Sequence, residues 1–252
     1  MISPVSELRD FLRASLLTPV ERDHRESPAQ LRRRRVVSAV TLAVGSILLW
    51  WSLQLSPGDD LFYVGTLALA ATWTVGALLS GRIYLGQGHT RRSVRGLVPL
   101  DRPEEGYTLP VVQSLALGLL LLVIFLAGAV AVSQVPALAG PVDGLLDHAR
   151  VGSLPVVLSI TMVNGIAEEL FFRGALYAAT PRRWNVPFVT AAYALTTVGS
   201  GVPLLVFAAV VLGVVTGLQR RITGGVLGPA ITHITWSSGM LLLLPPILDL
   251  LR

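Results

Sequence analysis

Seven apolar runs alternate with polar gaps along the chain, at about 36–55, 61–80, 109–133, 154–179, 186–199, 203–218 and 224–246. A helix rises 1.5 Å per residue, so about 20 apolar residues cross a hydrocarbon core of roughly 30 Å. Five runs reach that length. The runs at 186–199 and 203–218 are shorter, and a hairpin dipping into the bilayer is the alternative to two full crossings there. The pattern predicts an all-α fold, a polytopic transmembrane helix bundle of about seven spans occupying residues 36–252. Residues 1–35 are polar and rich in Arg. Within them, Leu8, Phe11, Leu12 and Leu16 recur at helical spacing between Ser6 and Leu17. This stretch predicts a short amphipathic helix on the membrane surface, or else a disordered tail.

Composition agrees with the pattern. Only 14% of the 252 residues are charged and 52% are hydrophobic, where soluble domains carry about 25% charged residues. The net charge is +5, and every basic residue is Arg, which fits a GC-rich bacterial genome. The arginines fall in alternate gaps: Arg32–Arg35, then Arg82, Arg91, Arg92, Arg95 and Arg102, then Arg182–Arg183 and Arg220–Arg221. The gaps at 54–60 and 200–203 have none, and loop 134–153 sets one Arg against Asp143 and Asp147. That alternation predicts a cytoplasmic N-terminus, a non-cytoplasmic loop 134–153, and a multi-pass protein of the cell inner (plasma) membrane. It also accounts for the basic surplus without nucleic acid. Membrane lipid is the expected partner, with Arg32–Arg35 anchoring to anionic headgroups. The absence of Cys excludes disulfides, a thiolate nucleophile and cysteine metal sites. Residues 1–35 lack the apolar run and cleavage site of a signal peptide.

Chemistry concentrates between Asn164 and Gly174, N-G-I-A-E-E-L-F-F-R-G, inside the fourth run. A charge at mid-membrane costs about 2.5–3.5 kcal/mol on the mildest scale, so an ionisable cluster there reads as functional. Glu169 and Arg173 are four apart and share a helix face, as do Asn164 and Glu168. Glu169 and Arg173 can form an internal ion pair, while Glu168 has no basic partner one turn on. One carboxylate locked and one free is the arrangement of an acid/base site. A purely structural salt bridge would explain Glu169 and Arg173 but leave Glu168 without a purpose. His233 is the one histidine in an apolar run; His24, His89 and His148 fall in gaps. Ser237 follows His233 by one turn, and Thr232 and Thr235 are expected to bond back to helix carbonyls. Gly213, Gly217, Gly224, Gly225 and Gly228 read as helix-packing positions.

Glu168 to Arg173 resembles the E-E-x-x-x-R signature of the CPBP (CAAX protease and bacteriocin-processing, or ABI) family of intramembrane metalloproteases, and the likeness extends over about 150–245. The resemblance implies a helical membrane bundle with a site open to the cytoplasm. It implies that Glu168 is the general base, supported by Glu169 and Arg173, and that His233 is the histidine of the third motif. It further implies a water or a divalent metal such as zinc at Glu168 and His233. The second motif appears as Tyr193 to Thr197, with Thr197 where the family has histidine. The third has Ser237 in place of asparagine. Asn164, Tyr193, Thr197 and Ser237 thus stand as substrate-binding or supporting positions, and the metal ligand set is incomplete. Two functions follow: an endopeptidase acting on a protein or peptide near the cytoplasmic face, or an inactive relative serving as scaffold or immunity-type protein. A proton-coupled transporter using Glu168 is a third, opposed by the lack of a repeat between halves.

Overall fold

The computed structural model describes residues 4–20, 26–56, 59–89, 107–133 and 153–250. Arg91, Arg92, Arg95, Arg102 and residues 134–152 of the loop 134–153, on which part of the orientation argument rests, lie outside them, as do His24 and His148. Among the described residues eight helices are formed: α1 (Pro4–Leu16), α2 (Pro28–Ser52), α3 (Asp60–Ser80), α4 (Val111–Val132), α5 (Leu154–Ala179), α6 (Asn185–Thr197), α7 (Pro203–Thr223) and α8 (Leu227–Leu250). Six of these, all but α1 and α6, are long and apolar enough to cross a membrane. The chain is a multi-pass helical membrane protein. The only sheet among the described residues is a two-residue pairing of β1 (Gly88–His89) with β2 (Tyr107–Thr108).

Each apolar run becomes a helix, but the fifth gives only the 13-residue α6. Its hydrogen bonds reveal how far it travels. Arg35 Nε donates to the Ala179 carbonyl at 3.2 Å, just before α6. At the far end Trp50 Nε1 donates to the Thr196 carbonyl at 2.8 Å, and Gln54 Nε2 to that of Gly199 at 3.2 Å. Arg35 and Trp50 are separated on α2 by about 22 Å at 1.5 Å per residue. The chain from Ala179 to Gly199 therefore covers most of the depth that α2 covers. At about 20 Å, α6 falls short of a bilayer core, so six candidate spans stand among the described residues where about seven are expected.

The N-terminal segment is tied to this bundle. Ser27 and Gln30 form a reciprocal capping box, so α2 starts at Pro28 and the four arginines lie inside it. Arg34 is 1% exposed. Its guanidinium bonds both oxygens of Glu26, the Ser80 hydroxyl and the Arg82 carbonyl. The expected surface helix forms as α1, whose buried residues are Ala14 and Ser15. Just beyond it, the Val20 amide caps the Ile222 carbonyl of α7 at 2.9 Å.

Between α3 and β1 an extended segment serves the junction of α7 and α8. The amides of Val226 and Leu227 donate to the carbonyls of Tyr84 and Leu85, and the Gln87 amide donates to the Thr223 carbonyl, all at 2.9–3.0 Å. Helix ends leave such groups without intrahelical partners, and burying them unpaired is costly. Gly225 is required by this approach: a Cβ there would fall 2.0 Å from the Gly86 nitrogen. Gly213 and Gly217 likewise face Thr190 and Val186 of α6, so they pack helices together.

The core beneath the site is aromatic. Trp73 of α3 stacks on Phe171 with centroids 4.6 Å apart, Phe172 lies 5.2 Å from the same ring, and Tyr193 meets Phe172 edge-on at 4.9 Å. The two phenylalanines between Glu169 and Arg173 thus anchor α5 to α3 and α6. A Cβ on Gly45 would overlap Trp73, so α2 leaves room for the indole.

Candidate active site

Helix α5 changes pitch where its charges lie. Leu154–Glu169 is α-helical, Leu170–Leu176 is a π-helix, and Tyr177–Ala179 is α-helical again. Pi segments within α-helices recur at functional sites. Nothing in the spacing of the sequence announces this one. Its consequence is local: the Tyr177 amide donates to the Phe172 carbonyl, five residues back, instead of that of Arg173. The Arg173 carbonyl is thereby freed, and Arg220 Nε of α7 donates to it at 2.7 Å. Arg220 is 5% exposed, its guanidinium 5.1 Å from the Tyr177 ring centroid. The sequence marks Arg220 as a loop charge; the fold makes it part of the site. A cation on the last turn of a helix that otherwise runs apolar is the signal that could have flagged it.

Glu169 and Arg173 are both 0% exposed. Arg173 Nη1 donates to Glu169 Oε1 at 2.9 Å, the expected ion pair, which the π pitch preserves. The same oxygen lies 2.9 Å from His233 Nδ1. His233 is brought in by α8, and the ideal Cβ position of Gly165 lies 3.8 Å from its Nε2. A Cβ there would be in ordinary contact with the imidazole and tight only against Ile234 Cγ2, at 3.2 Å. With Glu169 as acceptor, Nδ1 carries the proton and Nε2 is turned to other work.

Glu168, on the next position, takes a separate partner. Tyr193 Oη donates to Glu168 Oε2 at 2.7 Å. Glu168 is only half-buried, and its Oε1 has no hydrogen-bond partner among the described residues. The Arg173 guanidinium sits 4.7 Å from the Tyr193 centroid, and the His233 ring lies 6.4 Å from the Tyr193 ring. Glu168, Glu169, Arg173, Tyr193 and His233 therefore form one cluster, drawn from α5, α6 and α8.

The remaining candidates are placed less centrally. Thr197 donates to the Ala194 carbonyl of its own helix at 2.8 Å. Asn164 Nδ2 donates to the Ile160 carbonyl at 3.0 Å, and its Oδ1 is buried without a partner, as is Ser237 Oγ. Thr232, expected to bond back within α8, instead donates to the Ser114 carbonyl of α4 at 3.0 Å. Ser114 Oγ also accepts from Gln219 Nε2 at 2.9 Å, so α4, α7 and α8 are cross-linked beside the site.

The donor set does not fit zinc. Three protein ligands plus water are usual for a catalytic site. No group of three or more His, Cys, Asp or Glu side chains among the described residues could hold a metal ion. Glu169 Oε1 already receives Arg173 and His233, and its Oε2 is buried without a partner, so Glu168 and His233 Nε2 are the two donors outside that ion pair.

A multi-pass helical membrane protein with paired acids, an arginine and a histidine buried between its helices is the class that fold and site define. Residues 150–239 match the family model described as type II CAAX prenyl endopeptidase Rce1-like. That segment, from just before α5 to the middle of α8, is 90 of the 252 residues and is similar to the CPBP family of membrane proteases. No curated protein and no solved structure matches the chain.

Proposed function

We propose that this protein is an intramembrane endopeptidase in which Glu168 activates water for attack on a peptide bond near the cytoplasmic face. One observation carries the reading: two adjacent acids, one buried and one half-buried, are given different partners. Glu169, fully buried, holds Arg173 and His233 through Oε1 while its Oε2 is buried without a partner, whereas half-buried Glu168 takes the Tyr193 hydroxyl on Oε2 and keeps Oε1 without a partner among the described residues. Glu168 Oε1 would take a proton from water as the water oxygen bonds to the carbonyl carbon. His233, oriented through Nδ1 by Glu169, would present Nε2–H to the developing oxyanion, the service that fixed donors render in acyl transfer. Collapse then breaks the C–N bond as Glu168 returns the proton to the leaving nitrogen. This route uses no metal. The cell inner membrane is the expected location.

The test is purified protein in liposomes incubated with membrane-tethered peptides, with and without chelator. We expect cleavage that chelator leaves intact and that Glu168→Gln reduces by about 10²–10⁴-fold. Absence of cleavage by the intact protein across a diverse peptide set would end this reading.

The inactive-relative reading has one observation in its favour, the Thr197 hydroxyl turned to its own helix where the family carries histidine. On that reading Glu168→Gln keeps the cellular phenotype, while changes at Arg173 remove it through misfolding.

A further inference from the structure

We infer that Tyr193 is the positioning residue of this site: its phenol holds one oxygen of Glu168 so that the other is presented as the base. The consequence for turnover rests on the endopeptidase reading; the hydrogen bond itself does not. The motif position most obviously short of a group is Thr197, and its hydroxyl is engaged with the Ala194 carbonyl. One turn earlier on α6, Tyr193 reaches the carboxylate that Thr197 does not.

The ring is held on three sides. Phe172 meets it edge-on at 4.9 Å, Arg173 lies over it at 4.7 Å, and His233 closes the third side at 6.4 Å. Residue 193 is 7% exposed. A ring fixed in this way has little freedom to aim its hydroxyl, and the aim is Glu168 Oε2 at 2.7 Å. The guanidinium over the ring draws on its π electrons and makes the phenol a stronger donor.

During the reaction the phenol keeps its proton. Water gives its proton to Glu168 Oε1 while its oxygen bonds to the carbonyl carbon and the carbonyl electron pair moves to oxygen. On collapse that pair reforms the carbonyl, the C–N bond breaks, and the nitrogen takes the proton from Oε1. Throughout, Tyr193 donates to Oε2, so the carboxyl plane does not rotate between the two steps. Without the phenol, the same carboxyl swings about its last torsion, which is broad and weakly restrained. The cost then falls on turnover more than on substrate binding.

The experiment compares Tyr193→Phe with intact protein, and Tyr63→Phe, remote on α3, serves as control. Phenylalanine keeps the ring and its packing and removes only the hydroxyl. The first readout needs no activity: an infrared difference spectrum against Glu168→Gln isolates the Glu168 carboxyl band. Tyr193→Phe should move that band and Tyr63→Phe should not. An unmoved band overturns the proposal whether or not the protein cleaves anything. A moved band in a protein that cleaves no peptide supports the hydrogen bond and sinks the endopeptidase reading instead. The second readout is kinetic. We expect kcat to fall about 10²-fold with KM held within a factor of about two. Equal kcat in Tyr193→Phe and intact protein overturns the positioning role. If Tyr193→Phe does not accumulate in membranes, biosynthetic 3-fluorotyrosine keeps every ring and acidifies the phenol. The Glu168 band must then move, and a fixed band counts against the proposal.

Discussion

Replacing Glu169 by Gln is the sharpest test of how this site is held together. Arg173 is fully buried, and its one ion-pair partner among the described residues is Glu169 at 2.9 Å. At that separation, with an effective dielectric of about 20, the attraction is about 6 kcal/mol. Desolvating both groups takes back most of this, so the intact pair contributes little net stability. Removing one partner is different, because the remaining charge keeps its desolvation cost and loses its compensation. Breaking a buried pair in this way costs about 3–5 kcal/mol, roughly 10²- to 10⁴-fold in the ratio of folded to unfolded protein. Glu169→Gln should therefore be destabilised by that amount. The double variant Glu169→Gln/Arg173→Met, which leaves no orphaned charge, should recover more than half of the loss. Unfolding by SDS in mixed micelles, followed through the fluorescence of Trp73 against Phe171, measures both. A Glu169→Gln protein as stable as the intact one, or a double variant worse than the single, would refute the account of Arg173 as a charge dependent on Glu169.

Two further outcomes follow from the same geometry. Arg220→Met removes a buried, charge-assisted hydrogen bond to the Arg173 carbonyl and should cost about 1.5–3 kcal/mol by the same titration. Arg221→Met, whose half-buried side chain reaches Asn185 at 3.3 Å, should cost less; equal losses would remove the case for Arg220 as a brace of the π-helix. Gly225→Ala would place a carbon about 2.0 Å from the backbone of Leu85 and Gly86, so the protein should fail to accumulate as a monodisperse species in detergent, and normal yield and elution would contradict the strand-like docking of residues 84–87.

The sequence by itself determined the membrane bundle and the helix-internal pairing of Glu169 with Arg173. Both are local: run length against bilayer thickness fixes the first, and a four-residue spacing on one helix fixes the second. It also singled out His233, because a lone imidazole in an apolar run has few innocent explanations. Tertiary structure alone decided which acid the imidazole meets. Periodicity places residues on a face but carries no information about what another helix brings to that face, so the partners that Glu168 and Glu169 take from α6 and α8 could not be read from spacing. The same holds for Tyr193 Oη on Glu168 and for the burial of Arg34 and Arg220, which read as surface charges until Glu26 and the freed Arg173 carbonyl met them. The π pitch of Leu170–Leu176 belongs here too: one shifted amide exposes a carbonyl, and only a side chain arriving from α7 makes that register tolerable.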